Sequence, residues 1–298
     1  MKSKLGDKYM GVEKLRFLVT GGSGSLGRNI IKKLLSIGAT NILSINRDEN
    51  LIKEAEIEIG PSPVLFKLGD ITDRQLVPRL MQGIDIVFHT AALKHVSLAE
   101  QNPREVHRVN VVGLLNLLDN SESIKRFVHV SSDKAIGVMN CYGATKLLGE
   151  YLVRETNSLY PGNSYIIARC PNFLWSRGSV LDIWMQQLTL NNKINITDPG
   201  MTRYFVTLSD AANFIVDLGL DADINPEKIY YPLKYTRKFI LKDLAQTFVE
   251  MYGNKESKIE VIGSMPGEKK HEDYIKDVKL SSKFFLKKLM KEVVRKIH

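Results

Sequence analysis

Long apolar runs are missing from this 298-residue sequence. Without a stretch of about 18 apolar residues no membrane span is expected, and the polar, basic start MKSKLGDKYMGVEK lacks the apolar centre of a secretory leader. A cytoplasmic protein is the expectation. Cysteine is nearly absent too, and the two that occur, Cys141 and Cys170, rule out a disulfide framework and show no metal-type spacing. None of the six histidines has a partner at zinc spacing, so no metal is expected. The chain has no fixed-period repeat and no biased linker, which means that any second domain packs tightly on the first.

The formal net charge is +9. Residues 276–298 hold eight Lys/Arg against Asp277 and Glu292, a segment charge of +6, and the remainder is nearly balanced. With no recognition motif to accompany that basic tail, nucleic acid is not an expected partner. In the same tail Phe284, Phe285, Leu286, Leu289, Met290, Val293, Val294 and Ile297 recur at helical spacing among lysines. Such a helix suits packing on protein better than lying on an anionic membrane.

What is present is alternation. Apolar strands at Phe17–Val19, Asn41–Ile45, Val64–Lys67, Ile84–His89, Phe127–Val130 and Tyr165–Ala168 are separated mostly by helical patterns. This predicts an α/β fold, a Rossmann-like doubly wound parallel sheet, with the cofactor at the carboxyl ends of the strands. After Arg169 the sequence reads as loop-rich to Arg203, followed by helices around Ser209–Leu220 and Leu241–Tyr252. The expected division is a cofactor-binding domain over 1–170 and a smaller C-terminal substrate-binding lid over 171–298, with part of 204–235 returning to the first domain.

Directly after the first strand, Gly21, Gly24 and Gly27 follow the spacing G-x-x-G-x-x-G and open a helix. Backbone N–H groups of Gly21, Ser23, Gly24, Ser25, Leu26 and Gly27 are thereby available to a pyrophosphate. The second strand ends in Asn46, Arg47 and Asp48. Arg47 suits the 2′-phosphate of NADP, whereas Asp48 or Glu49 would suit the ribose of NAD; the balance favours NADP. Asp70 and Ile71 after the third strand, and Ala91 and Ala92 after the fourth, complete the expected pocket, with Asp70 accepting from the adenine amino group.

After the fifth strand comes Ser131-Ser132-Asp133-Lys134, then Tyr142 and, four residues on, Lys146. On a helix that spacing places Tyr142 and Lys146 on one face, where the ammonium is expected to lower the phenol's pKa and Ser132 to share the substrate hydroxyl.

Together these blocks resemble the short-chain dehydrogenase/reductase superfamily. Within it the chain resembles the polysaccharide-biosynthesis group of UDP-N-acetylglucosamine 4,6-dehydratases and related epimerases. The resemblance rests on Ala91 to Val96, Ser131 to Ala135, Tyr142 to Lys146, Ser176 to Val180, Asp198 with Met201 to Arg203, and Pro266 to Lys269 with His271-Glu272. It is nearest to the soluble members that invert carbon 5, as in pseudaminic acid biosynthesis. Departures are Pro171 and Trp175, where the group usually has glycines, and Met265, where it has an arginine that would contact the diphosphate.

The resemblance implies an NADP-dependent enzyme acting on a nucleotide sugar, UDP-N-acetylglucosamine first among them. It implies that Lys94, Asn172, Arg177, Val180, Thr197, Met201, Arg203 and Glu268 line the sugar-nucleotide site. In the mechanism it suggests, Tyr142 takes the proton of the 4-hydroxyl, oriented by Ser132 and Lys146. Lys134 then removes the carbon 5 proton and Asp133 protonates the departing 6-hydroxyl. The alternatives are a UDP-sugar 4-epimerase, which needs no acid for the 6-hydroxyl, and a regulator that senses NADP without turnover. Whether the protein is a homo-oligomer stays open.

Overall fold

The structure, a computed structural model, describes residues 9–272, 274–275 and 278–294. Its centre is a seven-stranded sheet in the order β10-β6-β5-β4-β1-β2-β3. The strands are β1 (Arg16–Thr20), β2 (Asn41–Asn46), β3 (Val64–Leu68), β4 (Ile86–His89), β5 (Arg126–Ser132), β6 (Ser164–Cys170) and β10 (Ile229–Tyr230). Every pairing in it is parallel. The strand order reverses beside β1, which opens a crevice at the carboxyl ends of β1 and β4.

The strands read as almost continuously apolar because helices cover both faces. On one face, α1 (Ser25–Ser36) and α9 (Leu208–Leu220) bring Ile30, Ile31 and Leu34 together with Ile215 and Val216 over Phe17 and Phe88. On the other, α6 (Gly113–Leu118) and α7 (Cys141–Leu159) contribute Leu114, Leu117 and Val153 over Leu18, Val87 and Phe127. The remaining helices around the sheet are α2 (Glu49–Ile59), α3 (Leu76–Met81), α4 (Val96–Gln101) and α5 (Pro103–His107). The doubly wound α/β architecture expected from the alternation is thus the observed one.

Beside the sheet lies a second layer. It holds β7 (Asn172–Leu174), β9 (Thr202–Thr207) and β11 (Arg237–Ile240) in one three-stranded sheet, and β8 (Lys193–Ile196) with β12 (Lys258–Val261) in a two-stranded one. Its helices are α8 (Val180–Asn191), α10 (Leu241–Tyr252) and α11 (Lys283–Val294). Trp184, Phe239, Phe248, Leu286 and Met290 share one core there.

One feature of this layer differs from the sequence reading and one agrees with it. The stretch before Arg203 is not mostly loop, since α8 occupies twelve residues of it; Leu181, Trp184 and Leu188 recur at helical spacing and are its buried face. The C-terminal helix packs on the chain's own body through Leu286 and Met290, with Lys287 3 residues beyond Phe284 paired to Glu250 at 2.7 Å. Arg295, Lys296 and Ile297, and the side chains of Val293 and Val294, lie outside the described residues. Among the described residues no helix is long and apolar enough to cross a membrane.

Candidate active site

A cleft of about 1670 Å³ runs from the glycine turn, past the ends of β1, β4 and β5, to the second layer. Of the residues expected to bind or react, all but one line it. The exception is Met201, which is buried among Trp184 and Phe248 in the second core. Its sulfur accepts from Arg203 Nη2 at 3.1 Å and Thr197 Oγ1 at 3.3 Å, so it backs the wall instead of forming it.

At the cofactor end, Gly21 adopts φ +67°, and a side chain there would run into the backbone of Ala91 at 2.9 Å. Glycine is therefore required for this approach of the two loops. Gly24 caps α1 without any side-chain hydrogen bond, which leaves the first N–H groups of the helix open to the cleft. An anionic pyrophosphate fits that environment. Asp48 is committed locally: its carboxylate accepts from the N–H groups of Asn50 and Leu51 and caps α2. Arg47 reaches outward to Glu105 at 3.2 Å and Asp70 at 3.9 Å. Asp70 itself accepts from the Thr72 N–H at 2.9 Å and lies 3.6 Å from Arg108, so the adenine contact expected of it competes with two arginines.

The loop after β4 is pinned by Asn110, whose amide accepts from Leu93 N–H at 2.8 Å and donates to the Leu93 carbonyl at 2.9 Å. Lys94 then donates to the Arg177 carbonyl at 2.8 Å and ties the two layers across the cleft; burial lowers its pKa. The side chain of Arg177 is 64% exposed and points to Glu54 of α2 at 3.4 Å, while its N–H donates to Ser25 Oγ at 3.0 Å. It thus stands at the glycine-turn end of the cleft. Arg203, by contrast, is 12% exposed and pairs with Glu268 at 3.1 Å.

The reacting groups come from β5, the turn Asp133–Ala135 and α7. Asn140 caps α7 by accepting the Gly143 N–H at 2.7 Å, and the first turns then carry Tyr142 and Lys146, both buried. Ser132 Oγ donates to Asp133 Oδ1 at 2.8 Å. Lys134 Nζ has three acceptors: Asp133 Oδ1 at 3.0 Å, Glu272 Oε1 at 3.0 Å and Asn172 Oδ1 at 3.1 Å.

Electrostatics here bear on two expectations. Lys146 donates to the Val130 carbonyl at 2.8 Å, and burial brings its pKa down to about 8. Burial raises the phenol of Tyr142, and what opposes that rise is the Lys134 charge and a hydrogen bond with Ser132. Lys134, expected to act as a base, is instead held cationic, because Asp133 and Glu272 together outweigh its desolvation. Asp133 is raised by burial and by Glu272, which suits a proton donor, whereas Glu272 is lowered by Lys134 and Arg203.

Glu272 is the site residue to which sequence reasoning gave no role. Its only signal was membership of the His271-Glu272 block, since nothing local shows that it meets Lys134.

The profile of the polysaccharide biosynthesis protein family matches residues 17–293. The chain belongs to this family. It is 36% identical to the uncharacterized membrane protein MJ1061 of Methanocaldococcus jannaschii over 87% of this chain and 79% of that one. Identity is 33% to the inverting UDP-N-acetylglucosamine 4,6-dehydratase of Campylobacter jejuni, over 87% and 77% of the two chains. A UDP-glucose 4-epimerase of Rickettsia typhi matches at 30%, over 87% and 76%. Among solved structures, Pen from Bacillus thuringiensis superposes with a TM-score of 0.87 at 27% identity, covering 96% of this chain and 99% of Pen. The protein is therefore an enzyme of the dehydratase and epimerase type, and solved neighbours of its fold were determined with NAD bound.

Proposed function

We propose that the protein is a 4,6-dehydratase of UDP-N-acetylglucosamine or a close relative, working with NADP. The observation that carries this reading is Asp133: a carboxyl group with its side chain 1% exposed, raised in pKa, and set one residue from Ser132 and within the hydrogen-bonded group that includes Lys134. A 4-epimerase has no use for such an acid. The 33% identity to an inverting dehydratase supports the same choice, and the 30% identity to an epimerase makes the experiment necessary.

The glycine turn, the α1 N-terminus and Arg47 would hold the dinucleotide, and the engagement of Asp48 in capping α2 favours Arg47 as the residue that chooses NADP. When bound, that cofactor supplies the acceptor for hydride from carbon 4 and its return to carbon 6. The chain's own groups handle protons. Tyr142 takes the proton of the 4-hydroxyl, with Ser132 sharing that oxygen. Once carbon 4 is a ketone, carbon 5 is acidic. Its C–H electron pair closes a C5=C6 double bond as the C6–O6 bond breaks, and Asp133 gives its proton to O6, so that water leaves.

Turnover of UDP-N-acetylglucosamine in D2O tests the reading. A dehydratase product carries deuterium at carbon 5. A product without it, changed only at carbon 4, would establish the epimerase.

A further inference from the structure

The proposed elimination requires an acceptor for the carbon 5 proton, and Lys134, the residue nearest in character, is already protonated in this cluster. For Lys134 to accept a proton it must release one. Its Nζ has three partners among the described residues. Asp133 enters the step carrying the proton that it gives to O6, so it has no free charge to receive another until O6 has taken that proton. Asn172 contributes an amide oxygen, which does not take a proton at any ordinary pH. Glu272 remains, an ionised carboxylate 3.0 Å from Nζ and 6% exposed.

Glu272 is held as such a role demands. Asn172 Nδ2 donates to its Oε2 at 3.1 Å, and Arg203 Nε lies 3.7 Å from its Oε1. These contacts fix both oxygens, leaving Oε1 in line with the ammonium. The residue reaches the site from the second layer, where the neighbouring His271 bridges to Thr202 of β9. Its carboxylate thus meets a lysine 138 positions earlier in the chain.

We propose that Glu272 is the final acceptor of the carbon 5 proton, acting through Lys134. Lys134 first passes an N–H proton from Nζ to Oε1, and the amine so formed takes the carbon 5 proton as the C5–H bond breaks. Lys134 ends with the charge it began with, Glu272 becomes neutral, and the electron pair of the C–H bond enters the C5=C6 bond. The free amine is transient, because the surrounding carboxylates disfavour it. Glu272 is a positioning residue in this scheme, since only Lys134 meets the sugar.

The inference rests on the dehydratase reading, and its test separates the two. Wild type, Glu272→Gln, Glu272→Asp and Asp133→Asn are incubated with UDP-N-acetylglucosamine and NADP+ in D2O. Reduced cofactor, deuterium at carbon 5 and loss of water are followed separately, and melting curves establish that each variant is folded. Glu272→Gln keeps the shape and loses the acceptor. It should still reduce the cofactor with a KM within about threefold of wild type, while exchange at carbon 5 falls at least about a hundredfold, the range expected for a lost proton-transfer partner. Glu272→Asp should recover part of that exchange. Asp133→Asn should reduce the cofactor without releasing water. Exchange at the wild-type rate in folded Glu272→Gln overturns the assignment alone, as does an equal loss of cofactor reduction and exchange. Should Glu272→Gln fail to fold, Glu272→Asp decides, and an unslowed exchange there overturns the proposal. An intact protein that exchanges nothing at carbon 5 overturns the dehydratase reading and this assignment with it.

Discussion

Lys134 Nζ lies 3.0 Å from Asp133 Oδ1, and yet the carboxyl group is raised in pKa, not lowered. An adjacent ammonium would ordinarily pull a carboxylate down. Complete burial and the Glu272 charge prevail here, the second because Glu272 engages the same ammonium. The site thereby shifts Asp133 toward the neutral range.

That shift has a stability consequence. With its folded pKa pushed up to about 7 from 3.8, Asp133 binds a proton in the folded state that the unfolded chain has lost. Its contribution is therefore fully present below the ordinary carboxyl range and disappears as pH rises through about 7. Asp133→Asn should be more stable than wild type at pH 8 by about 1–3 kcal/mol, with the difference shrinking toward pH 4. Thermal melts across that range check it; a pH-independent difference would show that Asp133 is ionised throughout.

Removing only the ionisable oxygen of Tyr142 leaves its ring packed against Ala99 and Val106. Tyr142→Phe should fold, retain cofactor and lose about 10²–10⁴ of its turnover. Cofactor binding and steady-state rates measure the two halves of that statement, and near-normal turnover would remove Tyr142 from the mechanism.

Arg47→Ala should weaken NADP relative to NAD by about 1–3 kcal/mol, the range for a lost charge-assisted hydrogen bond. Equal weakening of both would mean that Arg47 serves the Glu105 and Asp70 cluster rather than the 2′-phosphate. Titration calorimetry with each dinucleotide distinguishes the outcomes.

Trp175 holds φ +62°, a backbone conformation in which a non-glycine residue costs about 1–2 kcal/mol. Its ring centroid lies 5.8 Å from that of Phe248 and 5.4 Å from that of Tyr252. This explains why glycine is usual at the position in the resembling group, and how a tryptophan is tolerated. Trp175→Gly relieves the strain but empties the aromatic cluster, a loss of about 3–5 kcal/mol, so net destabilisation of about 2 kcal/mol is expected in denaturant unfolding. A more stable variant would show that the cluster does not offset the strain.

How much could be read beforehand follows the range of each signal. Strand and helix alternation, the glycine turn and the Tyr142/Lys146 pair are local patterns, and the parallel sheet and cleft follow from them. Helix α8 was legible in Leu181, Trp184 and Leu188 but was masked by the polar Gln186, Gln187 and Thr189 between and beside them. Met201 was expected in the wall from the family resemblance; only the fold shows its side chain turned into the second core. The charge state of Lys134 was beyond local reading, since it depends on Glu272 arriving from the other layer.

The central claim is that water leaves the sugar. Mass measurement of the product from UDP-N-acetylglucosamine, with NADP+ supplied and the intact protein as catalyst, tests it most directly. The account predicts a nucleotide sugar lighter than the substrate by one water; a product of unchanged mass with an altered configuration at carbon 4 would contradict it.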